Sequence, residues 1–208
     1  MSTDAKYVLR MSLLFIVCGL ATALAAMVPF FDVHNQPYRG SEYLAMEIAQ
    51  ELILFLVVVI NVVRAIGNPE ARPGLLLVAG FFACLLVREL DFVFDRFRHG
   101  FWFYCVLAIF LVCLGQALRV PSKSISALAT YCRGEGFFLI FSGLLVLFSF
   151  SRIFGMQVLW RGLMAEDFVR VVKDLVEEGV ELLGYTLILL GSLFPIVAKP
   201  VESAGNEK

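Results

Sequence analysis

The sequence predicts an all-α fold, a polytopic membrane helical bundle with six transmembrane helices and one amphipathic interfacial helix. Three observations predict it. The chain is 60% hydrophobic and only 17% charged, against about 45–50% and about 25% for a soluble domain, so it has too little polar surface to face water all round. Its apolar residues gather into six runs, and about 20 such residues carry a helix across about 30 Å of hydrocarbon. The runs do not alternate polar and apolar as barrel strands do. Lipid cannot satisfy loose backbone groups, which leaves helices.

The first span is expected at residues 9–30. Met11 to Phe30 is uncharged, Lys6 and Arg10 precede it, and Pro29 marks its exit. Ala21, Ala23 and Ala25 would suit a signal cleavage site, but the run is long for a signal peptide and is read as a retained helix. The second span, 43–65, is free of charge only from Leu52 to Val63, with Asn61 near its far end. The third, 73–93, opens on Pro73, a residue suited to a first helical turn. The fourth, 100–118, is led by Phe101, Trp102, Phe103 and Tyr104, an aromatic set that fits a membrane–water interface. The fifth covers 136–152, and the sixth 179–198 with Pro195 near its end.

Between the last two spans, residues 157–178 carry apolar side chains at helical spacing with charges on the other positions. This stretch is read as an amphipathic interfacial helix anchored by Trp160, or else as a polar extension of the sixth span. A single transmembrane domain, 1–201, and a flexible tail, 202–208, complete the layout.

Six spans put both termini on one side. Basic residues divide almost evenly between the two faces, but at one face acidic neighbours tie them up, so cytoplasmic termini are expected. Short loops and the absence of N-x-[ST] acceptors fit a bacterial inner membrane.

Composition removes several function classes. The formal net charge of −1 gives no basic excess, so nucleic acid is not a partner. Cys18, Cys84, Cys105, Cys113 and Cys132 form no C-x-x-C pair and read as small hydrophobes. His34 and His99 are too few for histidine-based zinc chemistry. No G-x-S-x-G, H-E-x-x-H or Walker-type loop occurs. The sequence therefore leans away from an enzyme, and it identifies no cofactor or metal.

The informative charges lie at one face. The second helix begins there with Glu42, Glu47 and Glu51; the third ends there with Arg88, Glu89, Asp91 and Asp95; the sixth begins there with Glu177, Glu178 and Glu181. Glu47 and Glu51 are four apart and share a helix face, with Gln50 one step round. Arg88, Asp91 and Asp95 share another. Glu177, Glu181 and Tyr185 continue a polar stripe into the span. Glu51, Arg88 and Glu181 are the deepest, and Arg88 is expected between the two carboxylates, where a planar guanidinium fork engages both. An ionisable residue inside a span points to function. Glu42, Glu177, Glu178 and Asp95 also suit a plain water boundary. Acids in a first turn complement the helix dipole. The repeated pattern Glu47…Glu51-Leu52 and Glu177…Glu181-Leu182 is too short to distinguish an internal repeat from chance.

The candidate binding or ion-pair network is therefore Glu47, Glu51, Arg88, Glu89, Asp91, Glu177, Glu181 and Tyr185. Three readings follow. The first is a protein that binds or transports a cation, a proton or an amine-bearing substrate. The second is an accessory subunit or assembly factor of a larger membrane complex, with other membrane subunits as partners. The third is a membrane enzyme acting on lipid headgroups. The lipid bilayer is the partner common to all three.

Overall fold

Every regular element is a helix among the described residues, which in the computed structural model are 2–35, 45–96 and 98–194. The long helices are α1 (Thr3–Asn35), α2 (Ala45–Gly67), α3 (Arg72–Glu89) and α5 (Phe101–Arg119), with the short α4 (Asp91–Asp95) between the last two. Then come α6 (Pro121–Arg133) and α7 (Phe137–Leu145), the latter running through a π-helical turn (Val146–Ser151) into α8 (Arg152–Gly155). The short α9 (Gln157–Met164) and the long α10 (Arg170–Leu193) finish the chain. Glu42, the first residues of the expected second span, Pro195, the end of the sixth span and the tail lie outside the described residues.

Among the described residues four helical stretches are long and apolar enough to cross a membrane: α1, α2, α5 and the run Phe137–Gly155. This corrects the expectation of six. The third and sixth expected spans are helical where described, but α3 and the described length of α10 are too charged to qualify, the end of the sixth span lying outside the described residues. α3 carries Arg72 at its start and Arg88 and Glu89 at its end, and α10 is free of charge only from Leu182 to Leu193.

α2 is the organising element. It packs against α3 on one side and α10 on the other, and also touches α1. Its Leu54 and Val57 meet Phe82 of α3, Leu147 of the π turn, and Tyr185 and Ile188 of α10 in one buried cluster. α5 and α6 cover α3, and α7 covers α10. The α7–α10 contact is made backbone to backbone at Gly136 with Gly191 and at Gly143 with Gly184, the small-residue device by which apolar helices gain dispersion contact. α1 lies on the outside, with Phe15 80% exposed, a surface suited to lipid.

Several local features differ from expectation. Pro29 sits inside α1 rather than at its exit, and the helix continues to Asn35. A few residues on, the buried Asp32 accepts hydrogen bonds from the backbone N–H of Ala45 (2.9 Å) and Met46 (3.0 Å). A carboxylate there satisfies the orphan donors of α2 and complements its dipole. The segment between the fourth and fifth expected spans, to which the sequence reading assigns no element, is the helix α6, started by Pro121. It folds back on α3, with Gly74 close against Ala127 and the Ser124 carbonyl. Ser124 turns its hydroxyl to the carbonyls of Ala117 (3.0 Å) and Val120 (3.1 Å).

The stretch 157–178 is not one helix. It breaks after Met164: its first half is the separate α9 and its second half is the start of α10, so the polar extension of the last helix describes the second half alone. Trp160 donates its indole N–H to the Phe154 carbonyl at 2.5 Å. The break is carried by Ala165, whose φ of 48° and ψ of −119° fall where a Cβ is crowded and glycine is at ease. Ala165→Gly is expected to stabilise the protein by about 1 kcal/mol, read as a higher midpoint of thermal unfolding in detergent; a lower midpoint would show that the turn is not strained.

Candidate acid-lined cleft

At the end of the bundle where α2 and α10 begin and α3 ends, side chains from these helices, α4 and α8 line an open cavity of about 850 Å³. Among the described residues nine carboxylates face it against four cations. α2 supplies Glu47, Gln50 and Glu51; α3 and α4 supply Arg88, Glu89, Asp91, Phe92 and Asp95; α10 supplies Lys173, Asp174, Glu177, Glu178 and Glu181; Arg152 closes it from α8, and Arg96 follows α4. The structure brings together Glu47, Glu51, Arg88, Glu89, Asp91, Glu177 and Glu181. Tyr185 lies one turn deeper and lines a smaller cavity of about 180 Å³ that shares Arg88, Arg152 and Glu181.

The pairing inside the cleft differs from the expected one. Arg88 makes no ion pair with Glu51 or Glu181, although the charge of Glu181 acts on it. It donates to Glu89 Oε1 at 2.7 Å, and Tyr185 donates to the same oxygen at 2.6 Å. α2 separates α3 from α10, so the long side chains of Glu89 and Tyr185 reach across and join the two outer helices.

Glu181 takes a different cation. It is 4% exposed, and one of its oxygens accepts from Arg152 (2.5 Å) and from the fully buried Ser151 hydroxyl (2.6 Å). These two residues are adjacent at the end of the π turn, a wide coil that occurs mostly as single turns and often at functional sites. A sequence reading that grouped the charges of the second, third and sixth spans had no reason to add Arg152, 29 positions from Glu181.

The remaining contacts grade from tied to free. Gln50 donates to the Glu178 carbonyl (3.0 Å) and to its carboxylate (2.9 Å). Lys173 donates to Asp174 (2.9 Å) and Glu177 (2.6 Å). Burial works against its ammonium, but hydrogen bonds and charge from Glu177 and Asp174 outweigh that and hold the group above the ordinary lysine range. Asp95 folds back on its own loop, accepting from the Gly100 N–H at 2.8 Å. Glu51 stands apart. It is half-buried, it has no hydrogen bond or ion pair among the described residues, and the charge it feels is the like charge of Glu89.

What the cleft can do follows from these contacts. The carboxylates are dispersed round its wall, and among the described residues no three His, Cys, Asp or Glu side chains converge closely enough to hold a metal ion. An excess of negative charge in a partly dry concavity attracts cations, and dispersed acids with an aromatic, Phe92, in the lining suit an extended organic cation.

The opposite end of α2 holds a second, smaller set of polar groups. Asn61 Oδ1, Tyr131 Oη and Ser192 Oγ are buried without a hydrogen-bond partner among the described residues. The Tyr131 hydroxyl lies near the other two without bonding geometry. Asn61 spends its amide donor on the Val57 carbonyl at 2.8 Å.

No family model, no curated protein and no solved structure matches the chain. Its function therefore rests on the geometry just described.

Proposed function

We propose that this is an integral membrane protein that takes up an amine-bearing organic cation in the acid-lined cleft and transports it. The observation that carries the reading is the cleft's charge among the described residues: nine carboxylates to four cations, with Glu51 half-buried and unpaired. An unpaired buried carboxylate is costly, and a ligand ammonium relieves that cost. Transport rather than binding alone is favoured by the broken helices at the site. α3 ends at Glu89 and restarts as α4, and α7 passes through the π turn before Arg152. Interrupted helices are a common feature of substrate sites in transporters.

In this reading α3 and α10 also cross the membrane, shielded by the four more apolar helices, and six crossings place both termini on one side. The ion pair between Arg10 and Glu135 (2.6 Å) supports that topology, since it ties the start of α1 to the segment before α7. We read this end as cytoplasmic, in a bacterial inner membrane, because acidic neighbours tie up the basic residues of the other face.

The test uses purified protein in lipid nanodiscs with spermidine, putrescine and Mg²⁺ as separate probes, followed by uptake in proteoliposomes. Wild-type protein is expected to bind a polyamine, and Glu51→Gln to weaken it by about tenfold, the loss of one charge-assisted contact. Asp91→Asn, at an exposed rim position, should weaken it less. Equal affinity in wild type and Glu51→Gln, or binding of Mg²⁺ alone, would remove the proposal.

A further inference from the structure

At the far end of α2, roughly 20 residues and hence about 30 Å from the acid-lined cleft, lies a second cavity of about 750 Å³ between the α2–α3 turn and α6. Its chemistry is the reverse of the first. The lining includes Arg64, Lys123, Ser122 and Ser126 over an apolar floor that includes Leu75, with Glu70 the one carboxylate. Ser122 and Ser126 are four apart on α6 and turn their hydroxyls to the same side, and neither hydroxyl has a partner among the described residues.

Arg64 is the decisive residue. It is half-buried, it donates to the Phe194 carbonyl at 2.6 Å, and no carboxylate lies within ion-pair distance of it among the described residues. Lys123 is engaged only by Glu70 at 2.8 Å, in a pair whose side chains are 51% and 81% exposed. An exposed pair of this kind holds weakly, so an incoming anion can displace it. A half-buried guanidinium without a counter-charge, a mobile ammonium and two free hydroxyls form a donor set that matches a phosphate oxyanion. Ile66 on α2 and Ile125 on α6 are 65% and 67% exposed, so the helices that carry the polar groups also present apolar surface, as a site at a lipid interface would.

We propose that this cavity binds a phosphate group, anchored by Arg64, and that the group arrives as the headgroup of an anionic phospholipid or as a free phosphate. The site is separate from the acid-lined cleft and does not depend on what that cleft binds.

The experiment measures the thermal midpoint and binding of the full chain in detergent, with phosphatidylglycerol, phosphatidylcholine and inorganic phosphate as separate additions. Phosphatidylglycerol is expected to bind more tightly than phosphatidylcholine. Arg64→Gln should weaken phosphatidylglycerol by about tenfold or more, the loss of a charge-assisted hydrogen bond. Arg64 also holds the end of α10, so its variant could fold poorly. Ser126→Glu, an exposed change that puts a negative charge in the cavity, must give the same loss with an unaltered midpoint in the absence of ligand. Glu70→Gln should tighten binding. A response to phosphatidylglycerol with none to inorganic phosphate assigns the headgroup; a response to inorganic phosphate that Arg64→Gln and Ser126→Glu abolish assigns the free anion. No response to either, or responses that both variants leave intact, overturns the site.

Discussion

Gly191→Leu is expected to prevent accumulation of folded protein, because no room exists between α7 and α10 for a side chain at that position. Even a single Cβ on Gly191 would lie 2.5 Å from the Gly136 carbonyl oxygen, 2.6 Å from Ile140 Cγ1 and 2.8 Å from the Ile140 nitrogen. Two of these three are backbone atoms, which cannot swing aside as a flexible side chain can, so the helices themselves must separate. Gly191→Ala should cost about 1–3 kcal/mol, the usual range for overpacking. Leucine should cost more, against a total stability of about 5–15 kcal/mol.

Gly115→Ala is the control. A Cβ there meets nothing within 4 Å, and Ala for Gly inside a helix stabilises by about 0.5–1 kcal/mol. Thermal unfolding and the monodisperse fraction in detergent read both variants. If Gly191→Ala melts with Gly115→Ala, the two helices do not approach as closely as the structure shows. The acid-lined cleft depends on the same contact. α7 leads through the π turn to Ser151 and Arg152, and α10 carries Glu181, so a shift between the helices pulls apart the pair that neutralises Glu181.

The helical class and the gathering of acids were readable in the sequence for one physical reason. Burying charge in an apolar setting is expensive, so the places where charge interrupts an apolar run are few. Following helices up and down from those interruptions puts Glu47, Glu51, Glu89 and Glu181 at one end without knowledge of packing. Which partner each charge takes was not readable. Arg88 pairs with its chain neighbour Glu89, and the order of helices round a bundle, which sets such choices, is not encoded in any local pattern.

Two other misses share a cause. The π turn in Val146–Ser151 leaves no trace in composition, since the same residues serve an ordinary α-helix. Asp32 caps α2 from the end of α1, a contact between helices that a single-helix reading cannot supply. The helix α6 was available as Pro121 followed by Ser124, Ala127 and Tyr131 at helical spacing, the buried face of an amphipathic helix. Its polar face and short length keep it from standing out beside far more apolar neighbours. α3 and α10 carry charge at their ends, so length and composition among the described residues do not by themselves mark them as crossings.

Arg152→Ala is the second change with a large expected effect, and its sign is tested by a partner mutation. The Glu181 side chain is 5% exposed and that of Arg152 48%. Removing the guanidinium leaves a buried carboxylate with only the Ser151 hydroxyl as hydrogen-bond donor. Breaking a buried pair from one side costs about 3–5 kcal/mol; because Arg152 is half in solvent, part of the attraction is already screened, and about 3 kcal/mol is the expected loss by denaturant unfolding. Glu181→Gln removes the charge but keeps the shape and an acceptor for Ser151, so it should cost only about 1–2 kcal/mol. The double variant Arg152→Ala with Glu181→Gln is then expected to be more stable than Arg152→Ala alone, because the charge that lost its partner is gone. If the two losses simply add, Glu181 does not rely on Arg152. The same pair bears on ligand uptake. Where Arg152→Ala remains folded, Glu181 loses its ion-pair partner and keeps only the more distant charge of Arg88, so polyamine affinity should rise rather than fall. A fall would assign Arg152 to the ligand itself, as a contact for an anionic part of the molecule, instead of to the neutralisation of Glu181.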